Sequence, residues 1–163
     1  MNIEKLIYPF AKRFIAGRDF DSAIPVISQL INDGYDITID YLGEISKTEE
    51  DCDKALKQYI EIIEYYELIN YPLDISLKPT QLGLLLNKDN CYARLNEIVH
   101  RAYLHGMTVR LDMEDSTVTQ DTIDLAIKLR KEYPNIGIAL QSNLYRTEKD
   151  LTYMMEHGVS VRL

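Results

Sequence analysis

The sequence predicts an α/β fold, an incomplete (β/α)8 barrel of the TIM type made of the first five parallel strands and their helices. First, 46% of the 163 residues are hydrophobic and 27% are charged, which is typical of a domain that forms a core. Second, amphipathic stretches at helical spacing alternate with short β-rich runs from residue 20 onward. Strands that alternate with helices form right-handed βαβ units and a parallel sheet.

Each predicted strand follows a helical stretch that glycine or proline brings to an end. The five predicted strands cover residues 37–42, 73–77, 108–112, 136–141 and 159–163. The predicted helices cover 24–33, a stretch from a cap at Thr48 to before Pro72, 89–105, a stretch from a cap at Thr119 to near Pro134, and a stretch from a cap at Thr147 to Gly158. An amphipathic N-terminal helix precedes them.

The chain accordingly divides into an N-terminal helical segment, residues 1–20, and a partial barrel, residues 21–163, truncated after strand five. Two architectures compete: a five-stranded doubly wound sheet, which suits this length, and a (β/α)8 barrel, which needs about 250 residues. A complete doubly wound domain would cover its last strand with a helix, and nothing follows Leu163. We therefore favour the barrel and expect self-association through its open edges.

Composition excludes several classes of function. The net charge of -8 argues against nucleic-acid binding through phosphates. No apolar run approaches the roughly 20 residues of a membrane span, and the N-terminus lacks the order of a signal peptide, so we expect a cytoplasmic protein. Cys52 and Cys91 show no metal-binding spacing and are expected to be free or buried thiols, and no resident metal is predicted.

Polar side chains stand at the end of every predicted strand. They are Asp40, Gly43 and Glu44 on the first, Lys78, Thr80 and Gln81 on the second, Asp112 and Glu114 on the third, Gln141 and Asn143 on the fourth, and Arg162 on the fifth. Both architectures bind ligands at the carboxyl ends of their strands, so one rim is predicted to carry a binding site. A merely solvated rim would also be polar. No dinucleotide-binding or phosphate-binding glycine motif is present.

Five segments in order resemble the proline dehydrogenase family, of the monofunctional bacterial type. They are ITIDYLGE (37–44), ISLKPTQLG (75–83), VRLDMEDS (109–116), LQ with YRTEKD (140–141 and 145–150) and GVSVRL (158–163). Each lies at a strand end, and together they extend over most of residues 20–163. The resemblance is to the N-terminal portion of the family.

The resemblance implies a distorted (β/α)8 barrel that holds FAD, oxidises L-proline to Δ1-pyrroline-5-carboxylate in proline catabolism and passes electrons to a quinone. A quinone acceptor in turn implies peripheral association with a membrane. Lys78 matches the lysine that pairs with the proline carboxylate, and Asp112 matches an active-site aspartate that also serves the cofactor. Gln141 and Arg162 match residues that contact the flavin ring. Glu44 matches an acidic residue that pairs with a late arginine and closes the site.

The family continues after its fifth strand with a lysine, glycine and tyrosine segment that helps bind FAD, and later with a tyrosine and two arginines that hold the substrate carboxylate. We therefore expect the 163-residue chain to be inactive by itself. The alternative function is a non-catalytic, flavodoxin-like binding or regulatory module. In that case the carboxylates of Asp112, Glu114 and Asp115 would bind a divalent cation.

Overall fold

The computed structural model describes residues 14–43 and 45–163, which divide into two compact units, the first ending at Ile37 and the second spanning Thr38–Leu163. The first unit contains α1 (Phe20–Asn32). This helix begins four residues before its predicted start because Asp19 caps it and Ser22 bonds back to the cap. Residues 14–19 form turns and bends. The helix predicted for the N-terminal segment lies, for residues 1–13, outside the described residues.

The second unit alternates strands and helices throughout, which confirms the predicted fold class. Its elements are β1 (Thr38–Asp40), α2 (Glu49–Leu68), β2 (Asp74–Leu77), a 3₁₀ turn (Pro79–Leu82), α3 (Lys88–Leu104), β3 (Thr108–Leu111), α4 (Thr119–Arg130), β4 (Ile136–Ala139), α5 (Thr147–Glu156) and β5 (Ser160–Arg162). Each strand is one to three residues shorter than predicted, because the outermost predicted residues, such as Tyr41 and Leu42 on the first strand and Gln141 on the fourth, lie in the adjoining loops.

The order of the strands decides between the two candidate architectures. The sheet runs β1-β2-β3-β4-β5, and every neighbouring pair is parallel. A doubly wound sheet reverses its strand order at a switch point, whereas a (β/α)8 barrel adds each strand beside the previous one. The consecutive order therefore matches a segment of a barrel and excludes the doubly wound alternative.

The two faces of the sheet differ in polarity. Side chains that alternate along the central strands are at most 1% exposed: Ile75, Leu77, Val109, Leu111, Ile136 and Ile138. Each of the helices α2 to α5 contacts the next, as expected for one layer over the apolar face. Asp74, Ser76 and Arg110 occupy the intervening positions, so the opposite face is polar. The charged side chains of this sheet therefore lie on the face opposite the apolar one.

The cap predicted at Thr48 is confirmed. The hydroxyl oxygen of Thr48 accepts from the backbone N–H of Asp51 at 3.1 Å, and a carboxylate oxygen of Asp51 accepts from the backbone N–H of Thr48 at 3.2 Å. This reciprocal pair satisfies two donors that the first turn of a helix would leave unpaired. The predicted glycine stops are also present, since Gly106 and Gly158 both have a φ of +68°.

The caps predicted at Thr119 and Thr147 are wrong. Val118 and Arg146 are the N-cap residues, and each threonine is already the first residue of its helix. The hydroxyl of Thr119 donates to the backbone carbonyl of Asp115 at 3.1 Å, and the hydroxyl of Thr147 likewise donates to a carbonyl of the preceding loop. Because each threonine already lies inside the first turn, its hydroxyl does not stand at the N-cap position from which a capping box forms.

Both cysteines are free and buried, as the sequence predicts. Within residues 14–43 and 45–163, each helix falls short of the length or the apolar character that crossing a membrane would take.

Candidate active site

The carboxyl ends of the strands bring charged side chains together on the polar face. Asp40 on β1 lies opposite Ser76 on β2 in the parallel register, and Lys78 follows two residues later on the same face. Asp112 comes directly after β3, and Arg162 is the last residue of β5. We call these five residues the strand-end cluster.

The strand-end cluster is one connected network of charges. Nζ of Lys78 lies 2.8 Å from Oδ2 of Asp40 and 3.6 Å from Oδ2 of Asp112. The other carboxylate oxygen of Asp112, Oδ1, accepts from the hydroxyl of Ser76 at 2.6 Å and from Nη2 of Arg162 at 2.8 Å. Two carboxylates thus balance two cations, and Asp112 connects the lysine to the arginine.

The cluster is accessible from solvent. The exposed fraction of the side chain is 18% for Asp112, 28% for Lys78, 31% for Asp40 and 47% for Arg162. Partial burial acts to lower the pKa of Lys78, but its hydrogen bond to Asp40 and the charges of Asp40 and Asp112 outweigh burial, and the pKa is raised. Lys78 is therefore a cation at neutral pH, and an incoming anion can reach it.

The structure brings together three of the five predicted site residues: Lys78, Asp112 and Arg162. Lys78 and Arg162 both pair with Asp112, so neither side chain is solvated by water alone. Gln141 lies in the loop after β4 with its side chain exposed, and its backbone carbonyl accepts from the hydroxyl of a threonine in α5. Glu44 lies outside the described residues.

The sequence analysis did not identify Ser76 as a partner of Asp112, and it did not pair Asp40 with Lys78. Ser76 is 3% exposed and donates to Asp112. Because residues two apart on a strand share a face, its position two residues before Lys78 was the available signal. The pairing of Asp40 with Lys78 depends on the register between β1 and β2, which no local pattern reveals.

The interpretation of Asp112, Glu114 and Asp115 as a cation site finds no support. Their carboxylates are directed to different partners: Glu114 accepts from the backbone N–H of Thr80 at 3.1 Å and also from its hydroxyl, and Asp115 accepts from the backbone N–H of Thr117 at 2.8 Å. In the part of the chain that the structure describes, no three His, Cys, Asp or Glu side chains are placed to hold a metal ion.

The turn that follows Lys78 is a buried and well-anchored platform. All four residues of Pro79–Leu82 are buried. Nη1 of Arg94, on α3, donates to the carbonyl of Leu82 at 3.3 Å, while its Nη2 lies 2.6 Å from Glu49 and 2.7 Å from Asp53 on α2. The buried guanidinium thus joins α3 to α2 and anchors the end of the turn that begins after Lys78.

A second polar layer lies toward the amino ends of the strands. The carboxylate of Asp74 accepts from the hydroxyls of Thr108 at 2.6 Å and Thr38 at 3.0 Å, and it lies 3.7 Å from Nε of Arg110. This layer spans three neighbouring strands beneath the strand-end cluster.

Comparison with known proteins identifies relatives of this chain. A family model described as "Proline dehydrogenase" matches residues 23–160. The chain is 37% identical to proline dehydrogenase 2 of Bacillus subtilis (strain 168) over 141 residues, which cover 86% of this chain and 46% of that protein. It is 27% identical to a proline dehydrogenase of Deinococcus radiodurans, covering 96% of this chain and 52% of that protein. The chain thus spans about half the length of these curated relatives.

Solved structures share the fold. The crystal structure of proline utilization A (PutA) from Bdellovibrio bacteriovorus inactivated by N-propargylglycine superposes with a TM-score of 0.86 at 23% identity, covering 98% of this chain and 20% of that one. A PutA mutant from Bradyrhizobium japonicum gives 0.64 at 19% identity, over 78% of this chain and 15% of that one. A sequence match over residues 23–160, together with this likeness in fold, leads to one conclusion: the chain belongs to the proline dehydrogenase family.

Proposed function

We propose that this chain forms the strand β1–β5 portion of a proline dehydrogenase, in which it contacts both the substrate and the flavin. The full enzyme oxidises L-proline to Δ1-pyrroline-5-carboxylate. The observation that carries the proposal is the strand-end cluster, because it places a lysine and an arginine around one aspartate at the edge where barrel enzymes bind their substrates.

Lys78 is the group we assign to the substrate carboxylate. Its ammonium is raised in pKa, partly exposed and held by Asp40 on one side and Asp112 on the other. A proline carboxylate would approach the open side of the ammonium and compete with Asp40 for it. Fixing the carboxylate fixes the distance between the reacting carbon of proline and the oxidant, which accelerates a transfer step.

FAD is the cofactor we assign to this site, with Gln141, Arg162 and Asp112 as the residues that would hold it. The donor set fits. Arg162 presents a half-exposed guanidinium at the same edge, and Gln141 presents an exposed amide that can donate and accept. A reduced flavin gains negative charge, which a nearby guanidinium stabilises. When bound, FAD supplies the two-electron acceptor for proline oxidation.

The remaining assignments rest on the family alone. Glu44 would close the site by pairing with an arginine that the relatives carry later in their chains. A quinone would take the electrons, with peripheral association at a membrane, and the reaction would serve proline catabolism. The two free thiols accord with the reducing conditions of the cytoplasm, where we place the protein.

Anaerobic flavin bleaching tests the proposal. The purified 163-residue chain would be mixed with FAD and L-proline, and the absorbance of the flavin followed, with D-proline as the control ligand. We expect no bleaching by the chain alone and proline-dependent bleaching once the C-terminal half of Bacillus subtilis proline dehydrogenase 2 is co-expressed. Bleaching by the chain alone would overturn its expected inactivity, and bleaching in neither sample would overturn the proposed reaction.

A further inference from the structure

The loop between β1 and α2 is bonded near both its ends, among the described residues, to the buried residue Gln81. This residue lies in the turn after Lys78 and is 4% exposed. Its Nε2 donates to the backbone carbonyl of Tyr41 at 3.4 Å, and its Oε1 accepts from the hydroxyl of Tyr59 at 3.2 Å. Its backbone carbonyl accepts from the hydroxyl of Ser46 at 2.6 Å. Both ends of the loop are therefore bonded to one residue.

Gly43 provides the space that this arrangement needs. A Cβ at position 43 would lie 2.2 Å from Nε2 of Gln81, closer than real Cβ contacts come, and 3.1 Å from its Cδ, which is a tight contact. The end of a glutamine side chain is flexible in general, but this amide is buried and bonded at both its oxygen and its nitrogen. A larger residue at 43 would therefore have to break those bonds or move the loop.

The loop needs such support because its strand is weak. β1 contains three residues, lies at an edge of the sheet and pairs with β2 alone in the described sheet. Asp40 is its last residue, and Tyr41, whose carbonyl Gln81 holds, comes next. The ion pair between Asp40 and Lys78 and the bond between Tyr41 and Gln81 thus join the same two segments side by side.

We infer that Gln81 is a positioning residue that keeps Asp40 against Lys78 by holding the loop after β1, with Gly43 admitting its side chain. The effect on proline binding rests on the proposed function. The effects on the loop and on the pKa of Lys78 do not depend on the proposed function, because both are properties of the protein without ligand.

Four variants test the inference in the full chain. Gln81→Met keeps the volume but removes the amide, and Gly43→Ala introduces the collision. Gly43→Ala combined with Gln81→Ala removes the side chain that the added methyl group would meet, and Gln81→Ala alone is the reference for that double variant. Gln58→Ala, on the same helix as Tyr59 and bonded to Glu61 nearby, is the matched control. Hydrogen exchange would be followed at the Ser46 amide, which donates to Thr80. The titration of Lys78 would be followed by NMR on ¹³C-methylated lysines.

Loss of the amide in Gln81→Met removes the one hydrogen bond from this side chain to the loop and should therefore accelerate exchange at Ser46 about tenfold. It should also lower the pKa of Lys78 toward its ordinary value, because Asp40 is the main group that raises it. Gly43→Ala should give the same two changes. The double variant should show no faster exchange and no lower Lys78 pKa than Gln81→Ala alone. Gln58→Ala should give neither change.

Unchanged exchange at Ser46 and an unchanged Lys78 titration in Gln81→Met would overturn the inference. So would equal damage from Gly43→Ala with and without Gln81, since the collision would then lie elsewhere. If Gln81→Ala fails to fold, the isosteric methionine variant still decides. In the complemented enzyme, Gln81→Met should raise KM for proline about tenfold and leave kcat within about twofold. If proline bleaches no flavin in any sample, the proposed function fails, while the exchange and the titration still decide the role of Gln81.

Discussion

At the scale of single residues, the proposed function assigns the substrate carboxylate to Lys78. We expect Lys78→Met in the complemented enzyme to raise KM for L-proline at least tenfold, about the effect of losing one charged hydrogen bond. Lys54→Met, which removes an exposed lysine paired with Glu50 one turn away, is the control and should leave KM unchanged. Flavin bleaching at a series of proline concentrations measures both. Equal KM values for the two variants would rule out Lys78 as the carboxylate partner.

The titration of Lys78 should not make proline affinity depend on pH in the neutral range. The pKa of Lys78 is raised above its ordinary 10.5, so its charge is complete below that value and is lost only as the pH rises through the higher, folded pKa. Between about pH 7 and about pH 9 we expect no loss of affinity that depends on Lys78. A titration of proline affinity in wild type and Lys78→Met would contradict this if only the wild type weakened across that range.

Cys91 should be an unreactive thiol in the folded chain. Burial, followed by the neighbouring Cys52, raises its pKa to about 12, and both cysteines are 0% exposed. Since the thiolate is the reactive form, Ellman's reagent at about pH 8 should label neither thiol in the native protein and both after unfolding in guanidinium. Rapid labelling of Cys91 in the native chain would show that the turn above it opens readily.

At the scale of elements, the turn Pro79–Leu82 depends on Arg94. Its guanidinium donates to the carbonyl of Leu82 and pairs with Glu49 and Asp53. The side chains of Glu49 and Asp53 are 47% and 65% exposed, so solvent screens these ion pairs and weakens them. We expect Arg94→Met to lower the free energy of unfolding by about 2 kcal/mol.

Urea unfolding measures this loss, with Arg101→Met as the control. Arg101 is 42% exposed and pairs with Glu97 and Glu64 on the surface, so it should lose no more than about 0.5 kcal/mol. Equal losses in the two variants would show that Arg94 acts only as another surface charge.

Local sequence patterns predicted which elements are present more accurately than they predicted the residue at which each helix begins. Thr48 is followed by a first turn rich in acidic residues, and its cap is present. The threonines at 119 and 147 offer the same local signal, but each bonds a carbonyl of the loop before it. Whether a threonine stands at the N-cap or already inside the first turn depends on the conformation of the loop before the helix. That conformation is a property of the tertiary structure.

At the scale of the whole molecule, the sheet formed by the described residues has β1 and β5 at its edges. We propose that they lead the 163-residue chain to self-associate, because unpaired backbone N–H and C=O groups template further strands. Light scattering after gel filtration should give a mass above the monomer's 18.9 kDa that rises with concentration. Ser160→Lys, a charge on the edge strand, should shift the mass toward the monomer, and Ser116→Lys, in an exposed loop, should not. A monomeric wild type at all concentrations would contradict the proposal.

The sequence by itself determined the alternation of helices and strands, the family, and the placement of Lys78, Asp112 and Arg162 at strand ends, because each of these depends on residues close together in the chain. Only the tertiary structure decided which of them meet. Asp40 and Lys78 are 38 residues apart, and Asp112 and Arg162 are 50 apart. Such pairs depend on the register of parallel strands and on the consecutive strand order, which no single segment encodes.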